Sequence, residues 1–129
     1  MPFAHIHLNA SQPVEWLDAI SSQLQTALET TFEVPANDLF QAFYRHQPGE
    51  LRYHPTYLGG PRTEQFVLIH LFTGRARSNA VKQTFYARLV QLLGVTPGIA
   101  PENVMILIND MPMSNWSFGG GVSAAPQEA

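Results

Sequence analysis

The chain has 129 residues, with 7 Lys or Arg against 10 Asp or Glu and a formal net charge of −3. That length suits one domain with its own core, and Lys82 as the sole lysine leaves no basic stripe that would hold nucleic acid by its phosphates. Cysteine is absent, which excludes disulfides, a thiolate nucleophile and a cysteine-based metal site, and no apolar run has the length of a membrane span.

The opening Met1-Pro2-Phe3-Ala4-His5-Ile6-His7 lacks a cationic stretch followed by an apolar one, so it does not read as a signal peptide, and a cytoplasmic location is the expectation. Removal of Met1 would make Pro2 a free secondary amine. Such an amine is a base when neutral, an acid when protonated and a nucleophile toward carbonyls. The plainer explanation is that small residues follow Met1 because they permit its removal.

Residues 3 to 8 read as a first strand. Ser11-Gln12-Pro13 then predicts a helix cap with proline in the first turn. Val14, Leu17, Ala19, Ile20, Leu24, Ala27, Leu28 and Phe32 recur at helical spacing, giving a helix of roughly 18 residues with one buried face. Pro35-Ala36-Asn37-Asp38 turns the chain into a second strand, Leu39 to Arg45, which His46-Gln47-Pro48-Gly49 closes. A loop rich in Gly, Pro and Tyr, about residues 48 to 63, leads to Phe66 to Phe72, apolar on both faces and expected as a central strand covered on both sides. Ser78 is placed to cap a second helix, whose apolar face is Ala80, Val81, Phe85, Leu89, Leu92 and Leu93 and whose end is Gly94. Val104 to Asn109 forms the fourth strand.

The halves repeat, with Pro35-Ala36-Asn37 matching Pro101-Glu102-Asn103. The fold class is α/β (α+β): a duplicated βαβ unit, about 2–47 and 64–110, within one domain spanning 1–121, followed by a flexible tail, 122–129. Right-handed crossovers put both helices on one face of a four-stranded sheet. The opposite face is left apolar and bare, which predicts a homo-oligomer.

Arg75 and Arg77 lie just before the capping Ser78. Cations there oppose the helix macrodipole, an arrangement that makes sense if an anion binds between guanidinium and free amides. Two arginines could hold a small carboxylate in one orientation, or could simply point into solvent. Asp38 is a turn residue by default; if the first two strands pair in parallel, its carboxylate would stand near the amine and favour its protonated form. His5, His7 and His70 could form a metal site, but histidines on strand faces are more often packed and hydrogen-bonded, so no metal is expected. Trp116 and Phe118 are either a packed aromatic cluster or the cover of a pocket.

With these residues in hand, the chain resembles the tautomerase superfamily, specifically its malonate semialdehyde decarboxylase group. The resemblance runs from Pro2 to about Gly121 and is carried by Phe32 to Asp38, Arg45 to Leu51, Arg75-Ala76-Arg77-Ser78 and Asn115-Trp116-Ser117-Phe118-Gly119. It implies catalytic roles for Pro2, Asp38, Arg75 and Arg77, with Arg75, Arg77, Trp116 and Phe118 around the substrate. It also implies a homotrimer and the conversion of malonate semialdehyde (3-oxopropanoate) to acetaldehyde and CO2 without metal or organic cofactor, together with a hydratase side activity on unsaturated 2-oxo acids. The alternatives are keto-enol tautomerisation, in which Pro2 must be neutral, and a non-catalytic small-acid-binding or assembly protein. One departure is the glycine- and alanine-rich stretch after Phe118, where the resembling enzymes carry bulkier apolar residues; it predicts a more open pocket.

Overall fold

The computed structural model describes residues 1–126. Strand β1 spans Pro2–Asn9, helix α1 Glu15–Thr31, β2 Gln41–His46, β3 Val67–Thr73, α2 Asn79–Val95 and β4 Val104–Asp110, with single 3-10 turns at Pro101–Asn103 and Met113–Asn115. The sheet order is β2-β1-β3-β4. β1 runs parallel to β2, with Ala4 opposite Gln41, and β3 runs parallel to β4, with Val67 opposite Val104. The two units meet through antiparallel β1 and β3, where Pro2 stands opposite Thr73. This is the duplicated βαβ sheet that the sequence predicts.

Alternation makes the core. Ala4, Ile6 and Leu8 of β1 and Val67, Ile69 and Leu71 of β3 point one way, and they form one buried cluster with Ile20, Leu24 and Leu28 of α1 and Phe85, Leu89 and Leu93 of α2. Both helices therefore cover the same sheet face. At the end of the cluster nearest the α1 terminus, the Phe32 and Phe85 rings lie 4.6 Å apart.

Three local expectations need correction. Ser11 does not cap α1: its N–H bonds the Asn9 side chain at 2.8 Å, a local Asx turn that uses the segment before the helix begins. The helix instead starts at Glu15 without a side-chain cap, and Glu15 and Asp18 place negative charge at its positive end. β2 starts at Gln41 rather than Leu39, because Leu39 N–H turns back to Asn37 O and only from the Phe40 carbonyl, which accepts from Ala4 N–H at 3.0 Å, does the chain join the ladder. α2 continues through Gly94 to Val95, while Ser78 caps it as expected by accepting from Val81 N–H.

β3 is covered on one side only within the chain; residues of its second face are half-buried. That face is less apolar than expected. Phe3, Leu68, Phe72, Met105 and Leu107 share it with His5, His7, His70 and Tyr44. His5 bonds Tyr44 Oη at 2.8 Å, His7 bonds the His46 ring at 2.8 Å and His70 bonds Asn109 Oδ1. The imidazoles thus have organic partners rather than a common centre, and among the described residues no three His, Asp or Glu are grouped to hold a metal ion. No helix among the described residues is long and apolar enough to cross a membrane. Of the expected tail, Ala124 N–H bonds back to Trp116 O at 2.8 Å, and residues 127–129 lie outside the described part.

Phe85→Ala should cost about 3–5 kcal/mol, because a fully buried ring leaves a cavity that the sheet cannot fill; urea unfolding measures it. The histidine face adds a pH dependence. His5 and His7 are both held below the ordinary imidazole value, by burial first and then by neighbouring histidines. The unfolded chain therefore takes up protons before the folded one. This contribution to stability is complete above the ordinary imidazole pKa of about 6.5 and declines as pH falls through and below it. Thermal unfolding between about pH 7 and pH 5 should show that decline, and His7→Gln should flatten it.

Candidate active site

Because β1 and β2 are parallel while β3 and β4 run the other way, the starts of the first two and the ends of the last two lie at one sheet edge. Three connecting segments meet there: the turn before β2, the link from β3 to α2 and the segment after β4. They enclose a cleft of about 880 Å³ lined by Met1, Glu33, Val34, Pro35, Asn37, Asp38, Phe40, Gly74, Arg75, Arg77, Met113 and Phe118.

Pro2 is buried at the start of β1, and Met1 extends from it into the cleft. The Met1 amine stands 3.6 Å from Asp38 Oδ2, and the Met1 carbonyl accepts from Gly74 N–H at 3.2 Å. Asp38 is only 11% exposed. Its N–H bonds Pro35 O at 3.0 Å, and its carbonyl accepts from the buried Gln25 side chain of α1 at 3.3 Å. The parallel pairing anticipated from sequence thus brings Asp38 to the amino end. The Met1 amine is held below its ordinary value of 8.0, by burial first, with Arg77 and Arg75 adding to the effect and Asp38 opposing it.

The arginines differ in situation. Arg77 lies with its guanidinium carbon 4.6 Å from the Phe32 ring centroid, and it donates to Phe32 O at 3.0 Å and to Arg75 O at 2.7 Å. Phe32 caps the end of α1, whose last turn contains no basic residue, so Arg77 supplies across the structure the cation that this carbonyl end favours. Its buried Nε finds no acceptor among the described residues. Burial, then Arg75, lowers its pKa without threatening the charge of so strong a base. Arg75 is 66% exposed and reaches Glu33 Oε2 only at 4.0 Å, a surface pair of little energetic weight. Behind both, Thr73 Oγ1 donates to Asp110 Oδ1 at 2.6 Å.

Phe118 lines the cleft and lies 5.8 Å from Phe40, ring to ring. Trp116 does not line it. It stacks behind Phe118 at 5.5 Å and faces a separate hollow of about 280 Å³ with Phe3, His5, Phe72 and Met111. Sequence reasoning brought forward Pro2, Asp38, Arg75, Arg77 and Phe118 but passed over Glu33, Phe40, Gly74 and Met113. Glu33 carried a signal, an acidic charge opposite in sign to Arg75. Phe40 was hidden by its assignment to a strand, and nothing in Met111-Pro112-Met113 marks the last residue as a wall.

Against known proteins, a family profile described as tautomerase enzyme matches residues 38–119. The probable tautomerase YusQ of Bacillus subtilis (strain 168) is 29% identical over 121 residues, covering 94% of this chain and 95% of that protein. A crystal structure of malonate semialdehyde decarboxylase, studied for decarboxylase and hydratase activities, superposes with a TM-score of 0.86 at 30% identity, over 93% of this chain and 92% of the other. The FG41 malonate semialdehyde decarboxylase inhibited by 3-bromopropiolate matches with a TM-score of 0.86 at 31% identity, over 93% and 91%.

The opposed charges around the amino end make a direct test available by titration of ¹⁵N-labelled protein. Asp38→Asn should lower the pKa of the amine further, and Arg77→Ala should raise it, since each removes a charge acting in the opposite sense. An amine indifferent to Asp38→Asn would mean that the 3.6 Å pair is not formed in solution.

Proposed function

We propose that this chain, which belongs to the tautomerase superfamily, decarboxylates malonate semialdehyde through Pro2 after removal of Met1. The observation that supports this most is the meeting of the amino end, Asp38, Arg75 and Arg77 in one cleft. Likeness to malonate semialdehyde decarboxylase over more than nine-tenths of the chain favours the same substrate.

In this reading Arg77, with Arg75 closing from the rim, binds the substrate carboxylate so that the carbon–carbon bond to be broken stands perpendicular to the aldehyde plane. As that bond breaks, its electron pair moves into the carbonyl system, CO2 leaves, and negative charge collects on the aldehyde oxygen. Protonated Pro2 stabilises this oxygen by a charge-assisted hydrogen bond. The resulting enolate takes a proton from water at carbon to give acetaldehyde. Asp38 favours the protonated amine against the burial and arginines that disfavour it. Phe40, Met113 and Phe118 form the apolar part of the wall. The half-exposed second face of the sheet supports assembly into a homo-oligomer, a trimer by the resemblance, with that face inside.

A second reading has support of its own. Keto-enol tautomerisation of a 2-oxo acid requires Pro2 as a neutral base, and the relative in Bacillus subtilis is a probable tautomerase.

The two readings have opposite pH signatures. An acidic Pro2 loses activity as pH rises through its pKa; a basic Pro2 loses activity as pH falls through it. Protein whose mass confirms loss of Met1 should release acetaldehyde from malonate semialdehyde, with activity declining on the alkaline side, and Pro2→Ala should abolish it. Arg77→Ala should reduce kcat/KM about 30-fold or more, equivalent to about 2 kcal/mol for a lost charge-assisted bond. Turnover that survives Pro2→Ala would remove the amine from the mechanism.

A further inference from the structure

We infer that the main-chain N–H of Gly74 is a second hydrogen-bond donor to the substrate oxygen that Pro2 activates; the inference rests on the reading of Pro2 as the catalytic amine. In the structure Gly74 N–H donates to Met1 O at 3.2 Å, continuing the β1–β3 ladder one step past the Pro2 and Thr73 pair. The Met1 carbonyl carbon is bonded to the Pro2 nitrogen, so peptide geometry puts its oxygen about 2.3 Å from that nitrogen. Removing Met1 removes this acceptor and leaves the Gly74 N–H aimed at a point beside the Pro2 nitrogen. A substrate oxygen accepting from Pro2 at about 2.8 Å falls in the same region.

The surroundings of Gly74 suit this use. A Cβ at this position would stand 2.5 Å from Met113 Sδ, so glycine lets the Met113 side chain sit against this half-buried stretch of main chain where any other residue would displace it. Glycine is otherwise not demanded here, since its φ is not in the left-handed region. The chemistry divides cleanly. The guanidinium of Arg77 takes the carboxylate, whereas Pro2 N–H and Gly74 N–H converge on the carbonyl oxygen as a two-donor site for developing negative charge. The fixed amide costs no reorganisation during reaction. Any short carbonyl acid offers such an oxygen, so the site serves a 2-oxo acid as well as a 3-oxo acid.

Replacing Gly74 by glycolate turns the peptide bond between positions 73 and 74 into an ester, which deletes this N–H and leaves the Thr73 carbonyl a weaker acceptor for Met111 N–H, now bonded to it at 2.8 Å. With malonate semialdehyde, the Met1-processed ester protein should lose about 10- to 100-fold in kcat while KM and the pH midpoint set by Pro2 stay in place. An unchanged kcat overturns the inference. A second measurement is independent of turnover: Gly74 amide exchange in ¹⁵N-labelled protein should quicken when Met1 is removed and slow again when pyruvate is added. Equal exchange with and without Met1, or pyruvate shifts at Arg77 without any at Gly74, also overturns it. If processed protein makes no acetaldehyde yet pyruvate still protects Gly74, the decarboxylase reading fails and this donor stands. If turnover is robust and the ester matches the parent, the donor alone fails.

Discussion

The antiparallel register of β1 on β3 is the constraint on which the rest depends. Pro2 opposite Thr73 puts the first residue of β1 level with the last residues of β3 and β4, and the parallel partner β2 brings its entering turn to the same edge. Nothing else in the fold would gather residues 33–40, 74–78 and 111–118 around one point. A slip of two residues between β1 and β3 would keep every side chain on its proper face, and so keep the core, yet would carry the amino end, with Asp38 beside it, away from Gly74 and the arginines. The core thus fixes which face is inside, and the main-chain ladder fixes the site.

At that point the electrostatics are balanced rather than one-sided. Burial and two guanidinium groups disfavour a charged amine, and one carboxylate favours it. The two guanidinium groups at the cleft therefore make the neighbouring amine less basic. Asp38 is held from both sides in the turn, by Pro35 through the main chain and by Gln25 from α1. Its carboxylate is the counterweight to burial and the arginines at the amino end, and a bound anion would add to it by offsetting the arginines.

Much of this arrangement is legible in the chain itself. Strand alternation in Ala4, Ile6 and Leu8 and helical spacing in Ile20, Leu24 and Leu28 specify the layers, because burial enforces those periods directly. Ser78 as a cap is equally plain, since its hydroxyl satisfies an amide three residues on. Ser11 looks the same but lies in a turn ahead of the helix, its N–H bonded to the Asn9 side chain, and the helix begins only at Glu15, a start that residue types alone do not decide. Pro2, Asp38 and the arginines stand out because charge and an unusual amine are rare enough to notice. Gly74 and Met113 do not, because their contributions are a main-chain direction and a fitted shape. Trp116 was placed by its neighbour Phe118, yet stacking turns the larger ring away from the cleft.

The unequal seating of the two arginines has an evolutionary consequence. Arg77 closes the carbonyl end of α1 and rests on Phe32 within the core, so its loss would loosen a helix terminus as well as change the cleft. Arg75 lies in solvent, with one long-range partner. Among descendants of such a chain, position 77 is tied to folding and resists drift, whereas folding places little demand on position 75. Variation in the lining of the cleft should therefore arise first at its rim, while the guanidinium seated on Phe32 stays in place.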